Sequence, residues 1–166
     1  GVRPCALPIS YARAHRDRLR PGYALFGGNP TPGRPNPMRP VVRLEAAIAQ
    51  VRDVAAGETA GYNARWTAPG TRRLATLSLG YADGYPRQAP NGTPVLVAGT
   101  RAQLIGRVSM DMLSVDLTDV PHATLGSPVE LWRKQVLASA VAGHAGLIPY
   151  QVFCNVKRVP LEYCGE

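Results

Sequence analysis

Thr93-Pro94-Val95-Leu96-Val97-Ala98-Gly99-Thr100-Arg101-Ala102-Gln103-Leu104-Ile105-Gly106-Arg107-Val108 reads as two extended stretches meeting at Ala98-Gly99-Thr100. The first stretch is rich in valine, which suits a pleated and half-buried surface. The glycine at the junction supplies the backbone freedom of a tight turn. Working outward, Leu74–Leu79 alternates between apolar and polar residues, and Leu113–Leu117 and Pro128–Trp132 follow the same logic. Ala56-Gly57-Glu58, Pro69-Gly70, Asp83-Gly84, Asn91-Gly92 and Leu125-Gly126-Ser127 punctuate these runs as turns. Val41–Val54 opens with β-branched residues, with helical character around Ala46-Ala47-Ile48-Ala49. Ser139–Gly146, alanine-rich and ending in glycine, is the one stretch that reads as a helix. Gln151–Val159 reads as a last extended piece. Many short strands at regular turn spacing indicate an all-β barrel or sandwich.

Composition sets the class. The 166 residues are 45% hydrophobic and 18% charged, ordinary values for a globular chain. The formal charge of +8 raises the question of nucleic acid. Arginines are scattered, however, and only Arg13, Arg16, Arg18 and Arg20 form a dense group, with no aromatic platform interleaved. No nucleic-acid partner is expected. Cys5, Cys154 and Cys164 are an odd number at no metal-ligand spacing, and His15, His122 and His144 lie far apart. Neither a disulfide framework nor a metal site is expected. No apolar run approaches the roughly 20 residues of a membrane span, and no signal peptide is expected from the opening residues. No membrane partner is therefore expected, and the expected location is the cytoplasm.

The N-terminal part differs from the rest. Tyr11–Arg20 is basic and polar, and Pro21–Gly28 is an apolar run bounded by glycine. Prolines at 30, 32, 35, 37 and 40 then forbid a helix or a central strand. That stretch reads as an extended linker.

Four segments are more specific than packing requires: Leu19-Arg20-Pro21-Gly22-Tyr23-Ala24-Leu25-Phe26-Gly27, Gly57-Glu58-Thr59-Ala60-Gly61-Tyr62-Asn63-Ala64-Arg65-Trp66, Leu79-Gly80-Tyr81-Ala82-Asp83-Gly84-Tyr85-Pro86-Arg87 and Gly106-Arg107-Val108-Ser109-Met110-Asp111-Met112. In this order, with Tyr150 and Val156-Lys157-Arg158-Val159-Pro160 behind them, they closely resemble the alanine racemases, from about Ser10 to Gly165. The resemblance implies a mainly β fold, an alanine-racemase C-terminal-like β-barrel domain preceded by a short remnant of an α/β (TIM-type) barrel. Residues 1–28 would be the barrel remnant, 29–38 the Pro-rich linker and 39–166 the β-domain. In that family the barrel binds pyridoxal 5'-phosphate (PLP), and the β-domain completes the active site of the partner in a head-to-tail dimer.

The resemblance also implies roles. The amides of Gly22 and Tyr23 and the hydroxyl of Tyr150 would hold the cofactor phosphate, and Arg20 would face the pyridine nitrogen. A permanently charged donor there disfavours ring protonation and weakens the electron sink, which suits racemisation. Taken alone, Arg20-Pro21-Gly22 reads equally as a turn before a strand. Racemisation needs a base on one face of Cα and an acid on the other. The resemblance gives one role to the PLP lysine and the other to Tyr62, which by itself reads as an aromatic at a strand start. A free phenol needs positive neighbours to act as a base. In the family a barrel histidine and the arginine matching Arg20 serve. Asn63 stands where the family usually has glycine, and asparagine tolerates left-handed backbone. Tyr81 would stand at the substrate entrance; the alternative reading is an edge aromatic packing on Tyr85. The Met110 N–H would contact the substrate carboxylate of the partner's site, Asp111 would support that loop, and Arg107 would pair with an acidic neighbour.

The family's Schiff-base lysine lies far N-terminal to anything in this sequence, and neither Lys134 nor Lys157 stands in a matching context. Pro4–Pro8 and Trp132-Arg133-Lys134 also depart from the family pattern. The resulting expectation is the C-terminal part of an isomerase interconverting L- and D-alanine, for cell-wall precursor or D-alanine metabolism, inactive as this chain alone. It would act as a homodimer or with its missing barrel segment. Two rival readings remain at this point: a non-catalytic dimerising β-domain, and a serine or broad-specificity racemase.

Overall fold

The computed structural model describes residues 20–29, 31 and 34–164. The expected barrel remnant at 1–19 and Pro30, Pro32 and Gly33 of the linker lie outside the described residues. Eight strands follow one another: β1 (Leu44–Val54), β2 (Thr59–Ala60), β3 (Trp66–Thr67), β4 (Arg72–Leu77), β5 (Pro94–Val97), β6 (Thr100–Ile105), β7 (Leu113–Asp116) and β8 (Pro128–Trp132). Two helices come last, α1 (Ala138–His144) and α2 (Pro149–Asn155).

Six of the strands close into an antiparallel barrel in the order β1-β4-β7-β6-β5-β8. β1 closes it by bonding along both edges. Leu44–Ala47 run against Pro128–Trp132, and Ile48–Val54 run against Arg72–Leu77, with register shifts at Leu44/Glu45 and Ile48/Gln50. The helical character of Ala46–Ala49 is overridden, because two partner strands satisfy this backbone at once. β5 and β6 form the expected hairpin, Val97 opposite Thr100. Ala98 (φ 46°) and Gly99 (φ 83°) are both left-handed at its tip, the conformation a two-residue turn needs to match strand twist.

The barrel interior is apolar throughout. Ala75, Leu77, Val95, Val97, Leu104, Val115, Val129 and Leu131 are all buried in one cluster. α1 and α2 add Val141, Ala142 and Val152 to it. A smaller cluster of Val54, Ala60, Ala68, Leu74 and Ile105 supports the β2–β3 hairpin, with Trp66 packed against it. The short β2–β3 ribbon would be marginal alone, and this packing holds it.

The C-terminal region corrects one expectation. α2 spans Pro149–Asn155, so residues 151–155 of the expected extended piece Gln151–Val159 are helical and only the part beyond Asn155 lacks helix. Pro149 stands at the first helical turn, where its fixed φ favours a helix and its missing N–H costs nothing. Val152 then faces the core, while Phe153 stacks on Phe26, ring centroids 5.7 Å apart. In the expected linker, side chains replace regular structure: Asn29 accepts from the Thr31 amide and donates to the Arg34 carbonyl, and Asn36 donates to the Gly27 carbonyl.

Tyr85 lies fully buried with its ring stacked on Trp132, centroids 5.9 Å apart. Among the described residues neither the Tyr85 hydroxyl nor Trp132 Nε1 has a hydrogen-bond partner. Burial pushes the Tyr85 phenol well above its ordinary range. The unfolded chain therefore releases this proton near pH 10 while the folded chain keeps it. The associated stability is complete below that pH and falls as pH rises beyond it. Tyr85→Phe is expected to hold or raise stability at neutral pH, by up to about 1 kcal/mol. It should also flatten the loss above about pH 10, checked by urea midpoints across pH for both proteins.

Candidate functional site

Two groups of side chains stand out. In the first, a 3-10 helix (Gly22–Phe26) packs against α2. Gly22 (φ 57°) lies so close to Tyr150 that an added Cβ would sit 3.0 Å from its Cε1 and 3.2 Å from its hydroxyl. The Tyr23 and Tyr150 rings approach to 4.3 Å, and the Tyr23 hydroxyl donates to the Asn29 carbonyl. Burial, and secondly the field of Tyr150, raise the Tyr23 pKa. As the first two residues of their helix, Gly22 and Tyr23 have amides with no acceptor inside it. Gly22, Tyr23 and Tyr150 are thus neighbours, with Arg20 exposed just before them.

The second group is a set of three loops. Tyr62 sits not at a strand start but on the turn joining β2 to β3, where Gly61 (φ 77°), Asn63 (φ 60°) and Ala64 (φ 47°) are left-handed. Asn63 therefore adopts the geometry expected of the glycine it replaces. Ala64 has no such tolerance, so the turn holds local strain. Its base is fixed by backbone packing: a Cβ on Gly61 would lie 2.8 Å from the Arg107 nitrogen. Asn91 pins the same region, donating to the Arg65 carbonyl (3.2 Å) and accepting from the Gly106 amide (2.7 Å).

The Tyr81 loop lies directly on the Met110 loop. Tyr81 N–H donates to the Ser109 carbonyl at 3.0 Å, and Ala82 N–H to the Met110 carbonyl at 2.9 Å. A side chain on Gly80 would overlap the carbonyl oxygens of Ser109 and Met110. Asp83 caps the loop, its Oδ2 accepting from the Gly80 amide at 2.9 Å. Tyr81 does not pack on Tyr85 as an edge aromatic: the Arg87 guanidinium lies 5.7 Å from its ring centroid, while Tyr85 stacks on Trp132. Tyr62 (63% exposed) and Met110 (53% exposed) are large and apolar, yet open to solvent. Among the described residues, no acceptor takes the Met110 N–H. None of the hydrogen bonds or ring contacts of these residues joins Tyr62 to Gly22, Tyr23 or Tyr150.

Among the described residues Arg107 pairs with no acid, against the expectation. It lines a cleft of about 330 Å³ with Arg65, Arg87, Asn91 and Gln88. The Arg65 charge, then partial desolvation and Arg87, lower its pKa. The acid nearest in sequence, Asp111, faces Arg158 instead. The roles of Arg87, Asn91 and Arg158 escaped the sequence reading, which held Arg87 and Arg158 only as members of quoted segments and Asn91 only as a turn residue. No group of three His, Cys, Asp or Glu among the described residues could hold a metal ion, and no described helix is long and apolar enough to cross a membrane.

A closed six-stranded antiparallel β-barrel with exposed aromatic loops on its rim defines a β-barrel domain. The family model described as "Alanine racemase, C-terminal domain" matches residues 41–163, and the chain belongs to that family. It is 58% identical over 161 residues to the alanine racemase of Pseudomonas taetrolens, covering 95% of this chain and 45% of that protein. The catabolic alanine racemase of Pseudomonas putida KT2440 gives the same identity and coverage. The crystal structure of the biosynthetic alanine racemase from Pseudomonas aeruginosa superposes with a TM-score of 0.93 at 45% identity, over 98% of this chain and 47% of that one. The alanine racemase of Bartonella henselae, solved with covalently bound pyridoxal phosphate, gives 0.77 at 34% identity, over 84% of this chain and 39% of that one. The chain thus spans just under half the length of the curated relatives it matches.

The contact between the Tyr81 and Met110 loops leaves no room for a methyl group at Gly80. Gly80→Ala is expected to cost about 2–3 kcal/mol. Gly143→Ala in α1, where nothing lies within 4 Å of an added Cβ, should instead stabilise by roughly 0.5–1 kcal/mol. Urea midpoints of the two variants, measured side by side, check both signs.

Proposed function

We propose that this chain is the C-terminal part of a PLP-dependent racemase that interconverts L- and D-alanine in the cytoplasm, and that it works as a homodimer in which each β-domain serves the other subunit's site. The observation that carries the reading is the presentation of Tyr62. A large aromatic is held outward on a strained turn, braced by the Gly61–Arg107 backbone contact, and it is 63% exposed among the described residues. Exposed apolar surface of this kind marks a binding face.

The residues present fit the phosphate end of PLP. Gly22 leaves a space beside Tyr150 that a Cβ would fill, and the Gly22 and Tyr23 amides begin a helix whose acceptors lie elsewhere. Gly22, Tyr23 and Tyr150 would hold the phosphate, and Arg20 would lie against the pyridine nitrogen. When bound, PLP supplies the electron withdrawal that makes the substrate Cα–H acidic. Tyr62 would hold or release a proton at Cα on the face opposite the cofactor lysine, which this reading places in the N-terminal barrel. Tyr81 would narrow the entrance, and the unpaired Met110 N–H would hold the substrate carboxylate. The product D-alanine suits a role in cell-wall precursor supply or in D-alanine metabolism. Without the barrel, this chain would not turn over.

In the complete PLP-loaded enzyme, Tyr62→Phe should lower alanine racemisation by about 10²–10⁴-fold, followed by optical rotation, while the content of bound PLP stays at the parental level. A variant as active as its parent would contradict the assignment.

A further inference from the structure

Three segments far apart in sequence meet beside the proposed substrate loops: the Tyr81 loop, the Met110 loop and the stretch leaving α2. The last is pressed against the first, since a side chain on Gly84 (φ 108°) would overlap Asn155 and Val156 backbone. Arg158 follows directly. Its Nε lies 3.8 Å from Asp83 Oδ1, and its Nη1 lies 3.3 Å from Asp111 Oδ1. Asp83 is already engaged through its other oxygen, which caps Gly80. One guanidinium therefore spans a carboxylate from each loop.

We propose that Arg158 is a positioning residue that clamps the Tyr81 and Met110 loops and masks two carboxylates beside the path of the substrate carboxylate. This rests on the racemase reading above. Arg158 is 59% exposed on its side chain, and ion pairs in water add little to folding stability. The clamp's effect is therefore local. Without it, Asp83 and Asp111 stand uncompensated next to Tyr81 and Met110. Two negative charges at that place oppose the approach of an anionic group. Loosening of the Asp111 end also shifts the Met110 amide that meets it, and small misplacements of a binding group are expensive in rate. Substrate capture should suffer more than the proton transfer at Cα, in which Arg158 takes no part. Lysine cannot replace arginine fully, because a point charge lacks the fork that reaches both carboxylates.

The test uses the complete PLP-loaded enzyme. Arg158→Gln should raise KM for alanine about five- to tenfold, with kcat within about twofold and with unchanged PLP content, dimer state and melting temperature. Arg158→Lys should fall between parent and Arg158→Gln. Adding Asp111→Asn to Arg158→Gln should recover part of the lost KM, because it removes the charge that arginine masked. A KM equal to the parent's in Arg158→Gln would overturn the clamp while leaving the racemase reading intact. So would a joint fall of kcat, PLP content and melting temperature in both Arg158 variants, which marks a merely structural residue. A parent enzyme that does not racemise alanine would sink the racemase reading and the clamp with it.

Discussion

Everything in this domain depends on the double pairing of β1. Its first half completes the sheet against β8 and its second half against β4, with a register shift within each pairing. That single strand turns an open antiparallel sheet into a barrel without edges. Closure fixes where β4 and β6 end, and the loops leaving those two strands carry Tyr81 in the first case and both Arg107 and Met110 in the second. Because the interior is filled by side chains such as Val97, Leu104, Val115 and Leu131, the domain has no room for a ligand inside. Its chemistry has to lie on the rim.

The rim is held by backbone rather than by side chains. Glycines 61, 80, 84 and 106 let main chain approach main chain at distances that no Cβ would permit. Two backbone hydrogen bonds then tie the Tyr81 loop to the Met110 loop. Side chains are thereby freed to face outward, which explains why Tyr62, Tyr81, Met110 and Met112 remain exposed beside a well-packed core. On the racemase reading these outward groups meet a second subunit. The arginine cleft of Arg65, Arg87 and Arg107 adds a positive field to the same region. The Gly22–Tyr150 contact lies at the opposite end of α2, which carries Tyr150 near its start and leads beyond its other end to Arg158 at the Tyr81 and Met110 loops.

Much of the barrel was legible in the sequence. The β5–β6 hairpin follows from valine density and a turn at Ala98-Gly99, and β8 matches its expected bounds at Pro128 and Trp132. These are local signals: propensity, alternation and turn chemistry agree. α2 was misread because Val152, Phe153 and Cys154 favour strands when judged singly. The position of Pro149 at a helix start, and the packing of Phe153 on Phe26, outweigh that preference. The site was legible mainly through the resemblance. Asn63 could be judged physically, and its left-handed backbone agrees. Arg107 could not, since its partners are set by loops that close only in the fold, and Asp111, the acid nearest it in sequence, lies with Arg158, 47 residues further on. Roles that rest on such distant contacts leave no periodic trace.

The central claim is that the tyrosine on this domain acts in another subunit's site, and subunit mixing tests it most directly. One inactive full-length subunit carries Tyr62→Phe, and the other has its cofactor lysine in the barrel replaced. Each homodimer lacks one proton-transfer group at both sites. In a mixed dimer, action in trans gives one site both intact groups and the other site neither. Recovery of alanine racemisation after unfolding and refolding the two together is the predicted result. Mixed dimers that form yet stay as inactive as their parents would contradict the account.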